Sequence, residues 1–177
     1  SWRRDLHAHP EIAFEEIRTS SFVAQTLKLM GYEVYEGIAQ TGVVAVLRCA
    51  RGLVTPYDGA HDHSEKDPHH SDKGPESPPR AFIPAQIKAR SPIERHRRIG
   101  LRADMDALAM AEEGDPPHRS QHDGKMHACG HDGHTVMLLA AAEYMIEHPP
   151  TDYGEVVFIF QPAEENLAGG RVMVDEG

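Results

Sequence analysis

Between Lys125 and His134 the chain reads Lys-Met-His-Ala-Cys-Gly-His-Asp-Gly-His, placing His127, Cys129, His131 and His134 close together with Asp132 among them. Imidazole nitrogen, thiolate sulfur and carboxylate oxygen are the donors that borderline divalent metals take. The spacing suits such a site. In an extended segment His127, Cys129 and His131 share one side, and His131 and His134, three apart, suit a turn entering a helix. Gly130 and Gly133 allow the tight backbone that gathers donors. Two other readings stay open: a solvated polar loop whose cysteine is a small buried hydrophobe, and a Cys129 nucleophile beside a histidine base, although no strand-to-helix elbow precedes it.

Further donors follow two apolar runs. Ile99 to Ala103 reads as a strand whose end carries Asp104 and Asp106, and Glu155 to Phe160 as a buried strand ending in Gln161-Pro162-Ala163-Glu164-Glu165. Ligands of open α/β sheets gather beyond the carboxyl ends of strands, so both positions suit a site, with helix capping the competing role for Asp106. Adjacent carboxylates at the mouth of an apolar strand are costly unless used or solvated. A divalent ion held by thiolate, imidazole and carboxylate would bring bound water to a near-neutral pKa and polarise a carbonyl. One glutamate of the pair then ligates while the other moves the water's proton to a leaving amine.

Other elements must position these groups. Trp2 to His9 ends at Pro10, and Phe14 to Met30 carries apolar residues at helical intervals before Gly31. His7 and His9 have a His-x-His form but read more simply as surface residues before a helix break. Tyr32 to Tyr35 alternates as a strand, and Gly42 to Leu47 is apolar enough to be central in its sheet. Glu112, Glu113, Asp115, Pro116 and Pro117 read as an exposed turn. Thr135 to Glu147 reads as a helix apolar on most sides, ended by Pro149 and Pro150. Its N-terminus adjoins the cluster, where backbone N–H groups could hold an anion or keep Cys129 ionised. A last helix starts near Leu167.

Between Ala50 and His96 the character changes. Seven of the thirteen prolines fall there, with an aperiodic polar run from His61 to Asp72. Such a segment cannot bury enough apolar surface to offset its ordering entropy, and 50–96 is expected to be a disordered insertion. Its His61, His63, His69 and His70 read as a solvated loop, with weak metal binding as the alternative.

The 177 residues suffice for one domain with a real core. A net charge of −10 disfavours nucleic acid and anionic membranes, so no nucleic-acid or membrane partner is expected. Cys49 and Cys129, far apart in unlike contexts, fit a reducing compartment, and the cytoplasm is the default location. No run approaches the length of a membrane span.

Three motifs, Leu101 to Leu108, Met126 to Thr135 and Phe160 to Glu165, resemble the signatures of the dimetal metallopeptidases of aminoacylase and carboxypeptidase type. Trp2 to Glu11 resembles the start of the amidohydrolase branch, which includes hippurate hydrolase and the indole-acetyl-amino-acid hydrolases. The resemblance covers residues 1–49 and 97–177. It implies an α/β fold, the N-terminal part of a zinc-peptidase-like catalytic domain with a mixed sheet between helices. It also implies two divalent ions, Mn or Zn foremost, with Co or Ni compatible with the donors. Cys129, His131 and Glu165 would be metal ligands, Glu164 the general base, and Asp106 the residue orienting a ligand histidine. His127, Asp132 and His134 receive no role. The activity implied is hydrolysis of N-acyl amino acids by a homodimeric parent. Two more metal-binding histidines and a lid and dimerisation domain would come from sequence beyond residue 177, so the 177 residues alone are expected to be inactive. A non-catalytic metal-binding fragment and a cysteine hydrolase are the alternatives. The family's usual connection is much shorter than 50–96, and Ala109, Met110, Ala111 and Gly114 depart from its pattern after the aspartates.

Overall fold

A computed structural model describes residues 1–50, 53–54, 97–151 and 153–177. Its elements in chain order are α1 (Trp2–Ala8), α2 (Ile17–Leu29), β1 (Glu33–Ile38), β2 (Gly42–Ala50), β3 (Leu53–Val54), β4 (Arg97–Asp104), α3 (His131–Glu147), β5 (Tyr153–Gln161) and α4 (Gly169–Glu176). The sheet runs β1-β2-β5-β4, with β3 folded back onto β2. β2 lies antiparallel to β1 and β5, while β4 and β5 are parallel. The fold is therefore a mixed α/β sheet between helices, with β2 inside the sheet.

Alternation sorts the strand side chains. Val43, Ala45 and Leu47 of β2 and Val156, Phe158 and Phe160 of β5 bury one face against Val23, Ala24 and Leu27 of α2 and Leu138, Leu139 and Ala142 of α3. Each fully buried phenylalanine contributes on the order of 2–3 kcal/mol. Tyr32 stands edge-on to Phe158 and donates its hydroxyl to the Ala142 carbonyl at 2.8 Å, tying the start of β1 to α3. On the opposite face Val44 packs with Ile38, Ala39 and Met173 of α4, beside Val157 and Ile159.

Several boundaries differ from those read in the sequence. α2 starts three residues after Phe14, whose φ of 61° is not helical. α3 starts at His131, not Thr135, because Gly130 at φ 81° turns the chain straight into the helix. That places His131 and Asp132 in the first turn, where a carboxylate suits the helix dipole. Met137 and Tyr144 of α3 are exposed, so the helix is apolar on most sides, as read, but buries only one of them. β2 runs on to Ala50, and Leu53–Val54 pairs with it, so Ala50, Leu53 and Val54 of the stretch read as an insertion are strand. The rest of that reading, including His61, His63, His69 and His70, lies outside the described residues. Among the described residues no helix is long and apolar enough to cross a membrane.

Candidate metal centre

Because β4 and β5 are parallel neighbours with Asp104 opposite Gln161, their carboxyl ends open side by side. Met105 N–H bonds the Gln161 carbonyl at 3.0 Å, holding the two exits together. Asp106 follows the first exit, Glu164 and Glu165 the second, and the start of α3 delivers Cys129 and His131 between them. Donor atoms of Cys129, His131 and Glu165 all lie within 4.8 Å of one another. The sequence-predicted ligands thus converge, although they come from two chain segments. Asp104, His131 and His134 form a second trio on the same criterion, with His134 Nδ1 2.7 Å from Asp104 Oδ1.

The orientation of His131 follows from Asp106. Its Nδ1 lies 2.9 Å from the Asp106 main-chain carbonyl, which can only accept, so Nδ1 carries the proton. The same atom is 3.3 Å from the Asp106 carboxylate. Nε2 is thereby left facing Asp104, Glu165 and Glu164 at 3.5, 3.7 and 4.0 Å. The other Asp106 oxygen accepts the Glu165 N–H at 2.9 Å. One buried carboxylate therefore sets both a histidine ring and the backbone of a glutamate, the arrangement that orients metal ligands.

The electrostatics are those of a site built for positive charge. Burial opposes protonation of His131, but the Asp106 and Asp104 carboxylates outweigh it and hold its pKa above the usual histidine value. Burial likewise works against the Asp106 anion, and hydrogen bonds from His131 and from the Glu165 and Glu164 backbone overcome it, keeping its pKa low. The Cys129 thiol is pushed up to about 11, first by its hydrogen bond to Glu165 and then by partial burial and the surrounding carboxylates. The helix N-terminus does not keep Cys129 ionised; the carboxylates decide its state. Glu165 Oε1 is buried without a hydrogen-bond partner. A buried carboxylate oxygen left unpaired beside an imidazole nitrogen and a thiol fits a divalent cation.

Around this centre lies a ring that the sequence did not reveal. His7 is buried rather than superficial, with Nδ1 2.9 Å from Asp132 Oδ2 and Nε2 3.2 Å from Glu112 Oε1. Arg3 Nε reaches the same Asp132 oxygen at 3.2 Å. α1 thus grips the first turn of α3 next to His131. His9 instead spends its Nδ1 on the Asp5 carbonyl of its own helix. His127 is buried, neither ring nitrogen has a hydrogen-bond partner among the described residues, and burial pulls its pKa down to about 4.

Glu112 is not part of an exposed turn. It is buried and accepts the Ser120 N–H at 2.7 Å, because His7 and the 112–120 loop supply donors that make burial affordable. The Ser120 N–H, followed by His7, holds its pKa below the ordinary 4.5. A depressed carboxyl pKa stabilises the fold above its unfolded value, and this is lost as pH falls through the folded value. Glu112→Gln should therefore lower Tm at pH 7, and the gap from the unsubstituted protein should shrink as the pH is taken below about 4.5. Thermal melts across that range check it.

Residues 100–177 match the peptidase family M20/M25/M40. The chain is 39% identical over 175 residues to the hippurate hydrolase of Campylobacter jejuni, covering 99% of this chain and 34% of that protein. It is 36% identical to IAA-amino acid hydrolase ILR1-like 2 of Arabidopsis thaliana, covering 99% and 30%, and 34% identical to the N-acyl-L-amino acid amidohydrolase of Geobacillus stearothermophilus, covering 100% and 36%. Among solved structures, it resembles the Bacillus subtilis YXEP protein, a dinuclear metal binding peptidase of the M20 family, with a TM-score of 0.69 at 30% identity, covering 99% of this chain and 38% of that one. The chain spans about a third of the length of these relatives. The motifs, the mixed sheet and the matched stretch agree: residues 100–177 are similar to part of a peptidase M20 domain.

Proposed function

We propose that this chain supplies half of the metal centre of an amidohydrolase that cleaves N-acyl amino acids, hippurate-like or N-acetylated, to a carboxylate and a free amino acid. What carries the reading is the meeting of Cys129, His131 and Glu165 at the carboxyl ends of β4 and β5, with Glu164 beside them. Cys129, His131 and Glu165 would hold a divalent ion, one of two in the full-length protein, with Mn or Zn suiting the donors. Such an ion supplies Lewis acidity toward the amide carbonyl and an acidified water.

The chain's own residues account for the proton. The Glu165 side chain is 16% exposed and turned toward Cys129 and His131, whereas that of Glu164 is 41% exposed. That difference supports Glu165 as the ligand and Glu164 as the base. As the water oxygen bonds to the carbonyl carbon, Glu164 takes its proton, then passes it to the amide nitrogen as the C–N bond breaks. Asp106 keeps His131 Nδ1 protonated so that only Nε2 is free to ligate. A Cys129 nucleophile draws no support from a thiol held near 11. The names of the relatives point to acyl amino acids, and a homodimeric parent belongs to the same reading.

The test is elemental analysis of the full-length protein together with release of amino acid from hippurate and N-acetyl amino acids before and after chelation. Near two ions per chain and loss of hydrolysis on chelation, restored by Mn2+ or Zn2+, are expected. Hydrolysis that survives complete metal removal would overturn the reading.

A further inference from the structure

Glu16 is a carboxyl residue with no accessible surface, set immediately before α2 and far in sequence from the three motifs at 101–108, 126–135 and 160–165. Its two oxygens are both used. Oε1 accepts the Ala163 N–H at 2.8 Å, and Oε2 is 2.6 Å from the Thr41 hydroxyl in the turn between β1 and β2. The side chain joins three segments that the sequence leaves apart.

Ala163 is the residue just before Glu164 and Glu165. It has φ 51°, in the left-handed region that a residue with a Cβ enters only under constraint. Its N–H is held by Glu16, and its carbonyl accepts the Gly169 N–H at 3.0 Å. Gly169 is itself required there, since a Cβ at that position would run into the Pro162 carbonyl oxygen. Both peptide planes of Ala163 are thus fixed, and the next two side chains leave the backbone in a set direction. A buried carboxyl needs donors; here the donor chosen is the backbone N–H whose placement aims the glutamate pair.

We infer that Glu16 is a positioning residue for the candidate centre, holding the Pro162–Glu165 turn so that Glu164 and Glu165 face His131. The inference rests on the roles proposed above for those two glutamates. Simple packing is a poorer account, because a side chain present only to fill the core would not bring a carboxylate there.

The test uses the full-length protein in three variants, with Mn2+ titrated calorimetrically into chelator-treated protein and kcat and KM measured on hippurate, each per folded molecule by circular dichroism. Glu16→Ala and Glu16→Asp, the second keeping the charge but falling short of Ala163, should each bind Mn2+ about 10–100-fold more weakly and lose about 10–100-fold in kcat with little change in KM. Glu16→Gln should restore both, since its amide oxygen can accept from Ala163 and its NH2 can donate to Thr41. Where Glu16→Ala does not fold, Glu16→Asp decides. Wild-type affinity and kcat in the Ala and Asp variants, or failure of Gln to restore them, would overturn the inference. An unsubstituted protein that binds Mn2+ without hydrolysing hippurate or any N-acetyl amino acid sinks the hydrolase reading alone, and the titration still decides the role of Glu16. One that binds no Mn2+ sinks both.

Discussion

Replacing Glu164 with glutamine is expected to lower kcat by about 10²–10⁴-fold while leaving metal content unchanged. The amide keeps the size of the side chain but cannot take a proton from water. The Glu164 side chain is 41% exposed and approaches His131 no closer than 4.0 Å, so its loss leaves the converging trio of Cys129, His131 and Glu165 in place. The neighbouring substitution gives the contrast. Glu165→Gln removes the charge from an oxygen that is buried and unpartnered, so metal should be lost first and activity with it. Turnover of N-acyl amino acids and elemental analysis of both variants separate the roles. Retained turnover in Glu164→Gln would end its assignment as the base.

Asp106→Ala is the second large effect. The Asp106 side chain is fully buried, and its removal strands the Glu165 N–H while freeing the His131 ring from the carboxylate that flanks Nδ1. Loss of such an orienting carboxylate weakens metal binding by about 10–100-fold. A buried donor left unsatisfied costs about 1–3 kcal/mol of stability. Both should therefore fall together, in contrast to Glu164→Gln, where neither does. Asp106→Asn, which keeps one oxygen in place, should fall between them. Metal titration and urea unfolding of the two variants measure these effects. An Asp106→Ala protein with undiminished metal affinity would show that the main-chain carbonyl of residue 106 alone sets the imidazole.

How much of this was legible in the sequence depends on whether the information is local. The density of donors from His127 to His134 and the carboxylates after two apolar runs can be read from one strand and one turn at a time, as can the buried strands around Val44 and Phe158. His7 could not be read that way. A histidine shortly before a helix break looks like surface until α1 is seen lying against α3, with Asp132 and Glu112 closing on the ring from opposite sides. Glu112 sat among acidic and proline residues that signal solvent, and its donors, Ser120 N–H and His7, lie 8 and 105 residues away. The start of α3 is hidden in the sequence because Gly130 and Gly133 look like a loop, whereas Gly130 uses its left-handed backbone to begin the helix. Glu16 gave no signal, since a glutamate beside another before a helix is ordinary until its partners are known.

The distances along the chain have a kinetic consequence. His7 meets Asp132 across 125 residues, Glu16 meets Ala163 across 147, and Asp106 meets the Glu165 backbone across 59. Each closure costs chain entropy before its contact can repay it, and contacts this non-local belong to the slow part of a folding reaction. The cluster is thus assembled only once the sheet and its helices have come together. A cation that needs Cys129, His131 and Glu165 at once finds no template in the early chain. In refolding, the far-UV circular dichroism of the helices should return first, and the ability to capture a metal should lag behind it.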